Sequence, residues 1–289
     1  MPVGASSIWD NPESVKSFNE EEVIELLDAT LKRLRKESNL IRIDRGKTLF
    51  VGDTHGNFIV TKAVMKIFSD GDFDRIVFMG DYVDRGYQQL DNVNCILGLK
   101  LARPEEVFLL RGNHETVSTN SRYGFWEAVT SKYSESLYKL YNHIFSYLPL
   151  AAITWNDVFV VHGGIAKGLE RVNQIDGLPR GEIEPNNDIV SQLLWNDPAE
   201  LIGDFAFNDQ RGGFYYYGKD VCLRFLDENG LRMLLRSHEV FTEGYRYFFD
   251  GKLLSIFSST GYGGAPIEGK AAQLSEDGEV DLINIEVVI

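Results

Sequence analysis

Short apolar runs alternate with longer amphipathic segments over the first half of the chain. Three runs lie at 48–51, 75–79 and 107–110, and each leads into a glycine-containing polar cluster and then a segment with helical periodicity. This alternation predicts an α/β protein. In open α/β folds, binding sites form beyond the carboxyl ends of the strands, which is where the polar clusters lie.

The two ends of the chain follow other patterns. Residues 1–18 are predicted to form a loose N-terminal arm. A helix is predicted from Asn19 to about Lys36, with Asn19 and Glu22 placed to form a capping box. Beyond residue 150, turn residues between apolar runs predict antiparallel hairpins at 153–161, 245–257 and 271–287.

These elements predict a single α/β domain over residues 19–289. We expect two mixed β-sheets that face each other and are flanked by helices. A chain of 289 residues with 44% hydrophobic residues can bury a substantial core.

The charge and the cysteine content narrow the classes of partner and compartment. With 29 Lys and Arg against 43 Asp and Glu, the net charge is −14, so neither nucleic acid nor an anionic membrane is an expected partner. No apolar run reaches the roughly 18–20 residues of a membrane span. Cys95 and Cys222 cannot form a disulfide framework, and no signal-peptide pattern is visible. We therefore expect a cytoplasmic protein.

Four of the five histidines follow predicted strands, and only His143 falls within a predicted helix. Imidazole, carboxylate and amide groups without a nearby thiolate suit Mn, Fe, Zn or Co. Six such groups are too many for one catalytic metal with an open position, and they indicate two metals that share a bridging carboxylate. The six candidates are Asp53, His55, Asp81, Asn113, His162 and His238.

Each of these residues has an ordinary alternative when it is considered alone. Asp81 and Asp84 could be a helix cap and a surface acid, Asn113 a turn residue, and His162 a hydrogen-bonded core histidine. The metal-site hypothesis rests on their joint occurrence, in order, at the ends of successive strands.

Three segments carry a resemblance to a known family: Asp-Thr-His-Gly at 53–56, Gly-Asp-Tyr-Val-Asp-Arg-Gly at 80–86 and Arg-Gly-Asn-His-Glu at 111–115. They resemble the signature motifs of the PPP superfamily of protein serine/threonine phosphatases, which have the calcineurin-like metallophosphoesterase fold. The resemblance continues through the segments 162–164, 194–198, 211–214, 236–239 and 258–262.

The resemblance implies a role for each matching residue. Asp53, His55 and Asp81 would hold one metal ion, and Asp81 would bridge to a second ion held by Asn113, His162 and His238. His114 would be the general acid, with Asp84 as its partner. The substrate phosphate would be bound by Arg85, Asn113, Arg211 and Tyr262.

The activity implied by the resemblance is metal-dependent hydrolysis of phosphoserine and phosphothreonine, by direct attack of a hydroxide that bridges the metals. Two divalent ions are expected as cofactors, manganese in vitro, with iron or zinc as alternatives. Phosphoproteins or phosphopeptides are the expected partners, and the sequence does not identify regulatory subunits. The acidic remainder of the chain favours basic residues around the phosphorylated residue.

Two other functions compete with this interpretation. One is a bis(5'-nucleosyl)-tetraphosphatase, a related phosphoesterase with the same metal ligands, against which the segments 194–198 and 211–214 argue. The other is a non-catalytic scaffold that binds phosphoproteins. The scaffold is disfavoured because no metal ligand and no candidate acid is missing.

Overall fold

The computed structural model describes residues 5–287 of the chain. Its strands are β1 (Leu40–Ile43), β2 (Thr48–Val51), β3 (Arg75–Phe78), β4 (Val107–Leu109), β5 (Ala151–Thr154), β6 (Val158–Val161), β7 (Asp197–Pro198), β8 (Phe205–Asn208), β9 (Phe214–Tyr217), β10 (Met233–Arg236), β11 (Tyr245–Phe248), β12 (Leu253–Ile256), β13 (Lys270–Leu274) and β14 (Val280–Asn284). Its α-helices are α1 (Ala5–Asp10), α2 (Glu20–Leu34), α3 (Phe58–Asp70), α4 (Gln89–Ala102), α5 (Val117–Asn120), α6 (Phe125–Lys132), α7 (Glu135–Phe145), α8 (Asp188–Trp195) and α9 (Lys219–Glu228).

Two large mixed sheets pack face to face. One has six strands in the order β1-β5-β6-β10-β12-β11, and the other has five in the order β14-β13-β2-β3-β4. Phe50 and Val77 of the five-stranded sheet share a buried cluster with Val160 and Leu254 of the six-stranded sheet. The predicted α/β sandwich is therefore confirmed.

Helices cover the outer face of each sheet. The cluster beside the five-stranded sheet includes buried residues of α2, α3, α4 and α7, and the one beside the six-stranded sheet includes residues of α8 and α9. Because β2 is covered on both faces, all four of its residues are buried. This explains why its sequence is an unbroken apolar run rather than an alternation.

The predicted hairpins are present as antiparallel pairs, β5 with β6, β11 with β12 and β13 with β14. The predicted capping box is also present. The Asn19 side chain accepts a hydrogen bond from the Glu22 amide at 3.0 Å, and the Glu22 carboxylate accepts one from the Asn19 amide at 2.8 Å.

A third sheet, of order β7-β9-β8, was not expected. Strand β7 has only two residues, too few to show a periodicity. Strand β8 is mostly half-buried or exposed, so it has no apolar run either. This small sheet places Asp197 and Arg211 near the ends of the large sheets.

The N-terminal segment differs from the loose arm that the sequence predicts. Residues 5–10 form α1, residues 12–17 form a 3₁₀ helix, and Ile8 and Val15 are fully buried. Gly98 of α4 leaves the space that the Ile8 side chain fills. The single-domain boundary at residue 19 remains a prediction.

None of the helices within residues 5–287 has the length and apolar character needed to cross a lipid bilayer.

Candidate active site

Strands from both large sheets end at a common edge of the sandwich. In the five-stranded sheet, β2, β3 and β4 are followed by Asp53, Asp81 and Asn113. In the six-stranded sheet, β6 and β10 are followed by His162 and His238. All five side chains are buried, so the sheets together enclose a polar cluster that neither could form alone.

The backbone at this edge is unusual. Five residues have a positive φ although none is glycine, and this conformation is uncommon for residues with a side chain. They are His55 (43°), Asp81 (56°), Asp84 (70°), Arg85 (71°) and His238 (76°). Such outliers tend to cluster at functional sites, and here they turn the chain sharply as each strand ends.

Glycine allows the ends of β3 and β4 to approach each other. Gly80 has a φ of 104°, and a Cβ atom on it would lie only 2.5 Å from the backbone nitrogen of Gly112. Any side chain there would push the two strand ends apart. The close approach brings Asp81 and Asn113 into the same cluster.

Asp81 lies at the centre of the cluster and faces two groups of ligands. Its Oδ2 atom is 3.6 Å from Nε2 of His55, and its Oδ1 atom is 3.4 Å from Nε2 of His162. On the first side, Oδ2 of Asp53 is also 3.6 Å from Nε2 of His55. On the second side, Nε2 of His162 is 3.2 Å from Nδ1 of His238. One carboxylate therefore connects two sets of donor atoms.

Backbone carbonyls orient two of these imidazoles. Nδ1 of His55 lies 3.0 Å from the Val83 carbonyl, and Nδ1 of His162 lies 2.9 Å from the Met79 carbonyl. Because a carbonyl oxygen only accepts, each Nδ1 is the donor, and in the neutral ring Nε2 carries a lone pair. Both Nε2 atoms point toward Asp81 and are free to bind a cation.

The surroundings of His162 favour a positive charge at its Nε2 atom. Asn113 Oδ1 lies 2.9 Å from Nε2 of His162, so in the neutral ring two acceptors would face each other. Burial disfavours the charged ring, but the Asp81 and Asp53 carboxylates outweigh it and raise the pKa of His162 to about 9. A proton on Nε2 would remove this conflict between acceptors, and a divalent cation bound between the two groups would remove it as well.

Asp53 provides a further sign that a cation fits. Its Oδ1 atom accepts hydrogen bonds from the Ser237 hydroxyl and from the His238 amide at 3.0 Å. Its Oδ2 atom is buried and has no hydrogen-bond partner among the described residues. A buried carboxylate oxygen without a partner is costly, and a metal ion would satisfy it. The donor set thus fits divalent metal ions.

His114 and Asp84 form a pair beside the cluster. Nδ1 of His114 lies 2.5 Å from Oδ2 of Asp84, whose other oxygen accepts the Phe125 amide at 3.0 Å. Burial lowers the pKa of His114, but Asp81 and Asp84 outweigh burial, and the net shift is upward. The pair is arranged to keep a proton on the imidazole.

His114 also lies near the metal-binding groups. Ligand atoms of His55, Asp81 and His114 lie within 4.8 Å of one another, as do those of Asp81, His162 and His238. Distance alone would therefore admit His114 as a ligand. We favour Asp53 instead, because its Oδ2 has no hydrogen-bond partner within residues 5–287, whereas Nδ1 of His114 is already held by Asp84.

The two arginines singled out by the sequence differ in their surroundings. Arg85 is exposed, and its guanidinium carbon lies 4.0 Å from the centre of the Tyr123 ring. Arg211 is held by Asp197, with Nε 2.8 Å from Oδ2. Tyr262 lies beside His55, with the two ring centres 5.0 Å apart.

Supporting residues were not assigned roles from the sequence. Glu115 accepts hydrogen bonds from the amides of Asp81, Tyr82 and Gly112 at 2.8, 2.8 and 2.9 Å, so it fixes the turn that carries Asp81. Arg236 is fully buried and donates to Oδ1 of Asp197 at 2.9 Å. Both lie within the motif segments, but only the structure shows what they contact.

Comparisons with known proteins agree with this geometry. A profile of the calcineurin-like phosphoesterase family matches residues 46–241. Over 84% of its length the chain is 36% identical to a protein phosphatase 2A catalytic subunit of Dictyostelium discoideum, covering 78% of that protein. Over 83% it is 35% identical to "Serine/threonine-protein phosphatase PP2A-like PPG1" of Candida albicans, covering 58% of that protein.

A solved structure is similar over nearly the whole chain. It is a protein serine/threonine phosphatase from Saccharomyces cerevisiae, described as similar to human phosphatase PP5. The TM-score is 0.85 at 27% sequence identity, and the match covers 94% of this chain and 91% of the other.

Proposed function

The chain belongs to the calcineurin-like phosphoesterase family, in its serine/threonine protein phosphatase branch, and from that premise we propose how its buried residues hydrolyse phosphoserine and phosphothreonine. The observation that carries the proposal is the position of Asp81, which faces His55 on one side and His162 on the other. A monoester phosphate placed over this carboxylate would lie between Arg85, His114 and Arg211.

We assign the metal ligands as follows. Asp53 and His55 would complete one site, Asn113, His162 and His238 the other, and Asp81 would bridge them. When bound, divalent ions at such paired sites polarise the phosphoryl group and acidify water to a nucleophile at neutral pH. Manganese is the ion that we expect to support activity in vitro.

The protein's own groups would bind the substrate phosphate from several sides. Arg85 and Arg211 would bind the non-leaving phosphate oxygens, whose negative charge they stabilise. The Asn113 amide and the Tyr262 side chain would contact the same phosphate from the sides. These contacts hold the phosphorus in line with the attacking water and the leaving oxygen.

His114 would protonate the leaving oxygen. A seryl or threonyl alkoxide is a poor leaving group, and protonation by a positioned acid contributes roughly 10²–10⁴-fold to the rate. Asp84 Oδ2 accepts a hydrogen bond from the Nδ1–H group of His114, with the two atoms 2.5 Å apart. It thereby stabilises the imidazolium whose Nε2 proton is transferred.

We also propose a cytoplasmic location and phosphoprotein substrates. Cys95 and Cys222 are free and buried, as is usual in a reducing compartment. The PP2A-like names of the relatives point to phosphoproteins as the substrates.

The test is phosphate release from a phosphothreonine peptide by chelator-stripped protein, with and without added manganese. We expect release only with metal, and we expect the Asp81→Asn variant to lose both activity and most bound metal while it keeps its fold by circular dichroism. Diadenosine tetraphosphate is the competing substrate. Cleavage of that nucleotide without peptide turnover would replace the proposal with the tetraphosphatase, and metal binding without any turnover would replace it with the scaffold.

A further inference from the structure

Tyr123 contacts two groups of the proposed site although the sequence motifs give it no role. It lies just before α6 and is 41% exposed. The Arg85 guanidinium carbon lies 4.0 Å from the centre of its ring, and the His114 ring centre lies 5.5 Å away. One ring therefore touches both the proposed phosphate-binding arginine and the proposed acid.

The backbone beside Tyr123 supports the same region of the site. The Arg85 amide donates to the Tyr123 carbonyl at 3.0 Å, and the Phe125 amide donates to Oδ1 of Asp84 at 3.0 Å. Asp84 and Arg85 both have positive φ, of 70° and 71°. Because this conformation is unfavourable for residues with side chains, it needs support from outside, and the segment 123–125 provides it.

The positive charge of Arg85 remains available to bind a phosphate group, because its neighbour is an aromatic ring and not a carboxylate. Within residues 5–287 no carboxylate forms an ion pair with Arg85, whereas Arg211 and Arg236 both pair with Asp197, at 2.8 and 2.9 Å. A carboxylate would occupy the guanidinium N–H groups and cancel their charge. An aromatic face attracts the cation but leaves the N–H groups in the guanidinium plane free to donate.

We propose that Tyr123 is a positioning residue that holds the Arg85 guanidinium beside His114, ready to bind two oxygens of the substrate phosphate. This inference rests on the proposed function, because it assumes that a phosphate monoester binds at Arg85. It also explains why an exposed arginine, which could adopt many rotamers in water, has a defined place in the site. The order that the ring imposes before binding lowers the entropy lost when phosphate binds.

Three variants test the contribution of the Tyr123 ring apart from that of its hydroxyl group and of a neighbouring aromatic residue. Tyr123→Leu removes the aromatic face, whereas Tyr123→Phe keeps it, and the Tyr123 hydroxyl makes no hydrogen bond to the described residues. Trp126→Leu is the matched control, since Trp126 is a neighbouring aromatic residue with a similar exposure of 43%, and within residues 5–287 the Arg85 guanidinium stacks on Tyr123 and not on Trp126.

We expect Tyr123→Leu to raise KM for a phosphothreonine peptide about threefold, from the strength of an exposed cation–π pair, with little change in kcat. Tyr123→Phe and Trp126→Leu should keep the wild-type KM. In an Arg85→Ala background, the Tyr123→Leu change should have no further effect on KM. Equal effects of Tyr123→Leu and Trp126→Leu, or an undiminished effect without Arg85, would overturn the inference.

A second readout does not depend on turnover. Stabilisation of the manganese-loaded protein by inorganic phosphate, followed as a thermal shift, should need about threefold more phosphate in Tyr123→Leu than in wild type or Tyr123→Phe. An unchanged phosphate requirement in Tyr123→Leu would contradict the inference. If the wild-type protein released no phosphate from any peptide, the proposed function would fail, but this binding experiment would still decide the role of Tyr123.

Discussion

His114 differs from the other histidines of the site in its partner. His55 and His162 donate to backbone carbonyls, whereas His114 lies 2.5 Å from a carboxylate. Burial lowers the pKa of His55 and favours its neutral ring, whereas the carboxylates beside His114 outweigh burial, raise its pKa and favour the protonated ring. This contrast fits the roles that we propose, a metal ligand for His55 and a general acid for His114.

This difference predicts a substrate-dependent loss in His114→Asn. For a phosphothreonine peptide we expect kcat to fall by about 10²–10⁴-fold, because the alkoxide must be protonated as it leaves. For 4-nitrophenyl phosphate, whose leaving group is stable without a proton, the loss should be much smaller. The measurement is kcat for both substrates in parallel.

The His143→Asn variant serves as the control for this experiment, because His143 lies on α7 away from the cluster. An equal loss on both substrates, together with a loss of bound metal, would show that His114 is a metal ligand rather than the acid.

Burial also decides the behaviour of the two cysteines. It raises the pKa of Cys222 to about 12 and that of Cys95 further. Iodoacetamide at about pH 8.5, near the ordinary thiol pKa, should therefore leave the folded protein unmodified, because little thiolate is present. In urea, both thiols should react, as counted by mass spectrometry.

The same pKa shift has a consequence for stability. The folded state keeps the thiol proton at a pH where the unfolded chain has lost it. This contribution to stability is complete below the ordinary pKa of 9.0 and is lost as the pH rises toward about 12.

For the alkylation experiment, rapid modification of the folded protein at about pH 8.5 would show that the cysteines are more accessible than described.

At the level of elements, the N-terminal segment is part of the core. Ile8 and Val15 are fully buried, and the Trp9 and Phe68 rings meet edge to face with centres 5.3 Å apart. Helix α1 packs on α4, which begins directly after the turn that carries Arg85. The segment therefore stabilises the helix that follows one of the site's turns.

We expect Ile8→Ala to lower the free energy of unfolding by about 2–5 kcal/mol, the usual range for emptying a buried isoleucine site. The measurement is urea denaturation followed by fluorescence. Ile24→Ala is the matched control, because Ile24 is 38% exposed and its replacement should change stability by less than about 0.5 kcal/mol. Equal midpoints for the two variants would mean that α1 does not contribute to the core.

The sequence predicts some elements well and others poorly, for physical reasons. Strand β2 was predictable because it is buried on both faces and ends at glycine and Asp53. Helix α1 was not, because six residues show less than two turns of periodicity. The burial of Arg236 depends on Asp197, which is 39 positions away in the chain. A partner at that distance cannot be inferred from local pattern.

The site, too, has features that the sequence predicts and features that it does not. The proximity of the six candidate ligands was predictable because their positions follow strand ends and match motifs in order, whereas their role as ligands remains a prediction. The contact of Tyr123 with Arg85 depends on the path of the segment before α6. The pattern of apolar and polar residues in the sequence does not predict that path.

At the level of the whole molecule, the charge of −14 contrasts with the phosphate dianion that we propose as the bound group. The arginines and the proposed cations would reverse the potential locally, while the net charge of the whole chain remains negative. Basic residues that flank a phosphorylated side chain should therefore be attracted to the protein surface as the substrate approaches.

This contrast predicts a salt-dependent substrate preference. At low ionic strength, a phosphothreonine peptide flanked by lysines should show a higher kcat/KM than the same peptide flanked by glutamates. The ratio should fall toward one as salt shortens the screening distance, which is about 10 Å at 0.1 M and about 3 Å at 1 M. Both peptides are assayed over a salt series, with an alanine-flanked peptide as reference. A ratio that does not change with salt would remove the electrostatic explanation.

The pairing of β13 with β2 sets the time at which the site can form during synthesis. Ala271 pairs with Val51, two positions before Asp53. The ribosome must add roughly 220 residues between these partners, which at about 5–20 residues per second takes on the order of 10 to 40 seconds. Until then one edge of β2 has no strand to pair with, and the nascent chain exposes a row of backbone groups open to wrong partners. We therefore expect the segment that carries Asp53, the first of the proposed metal ligands, to be held in place only after the last strands have been made.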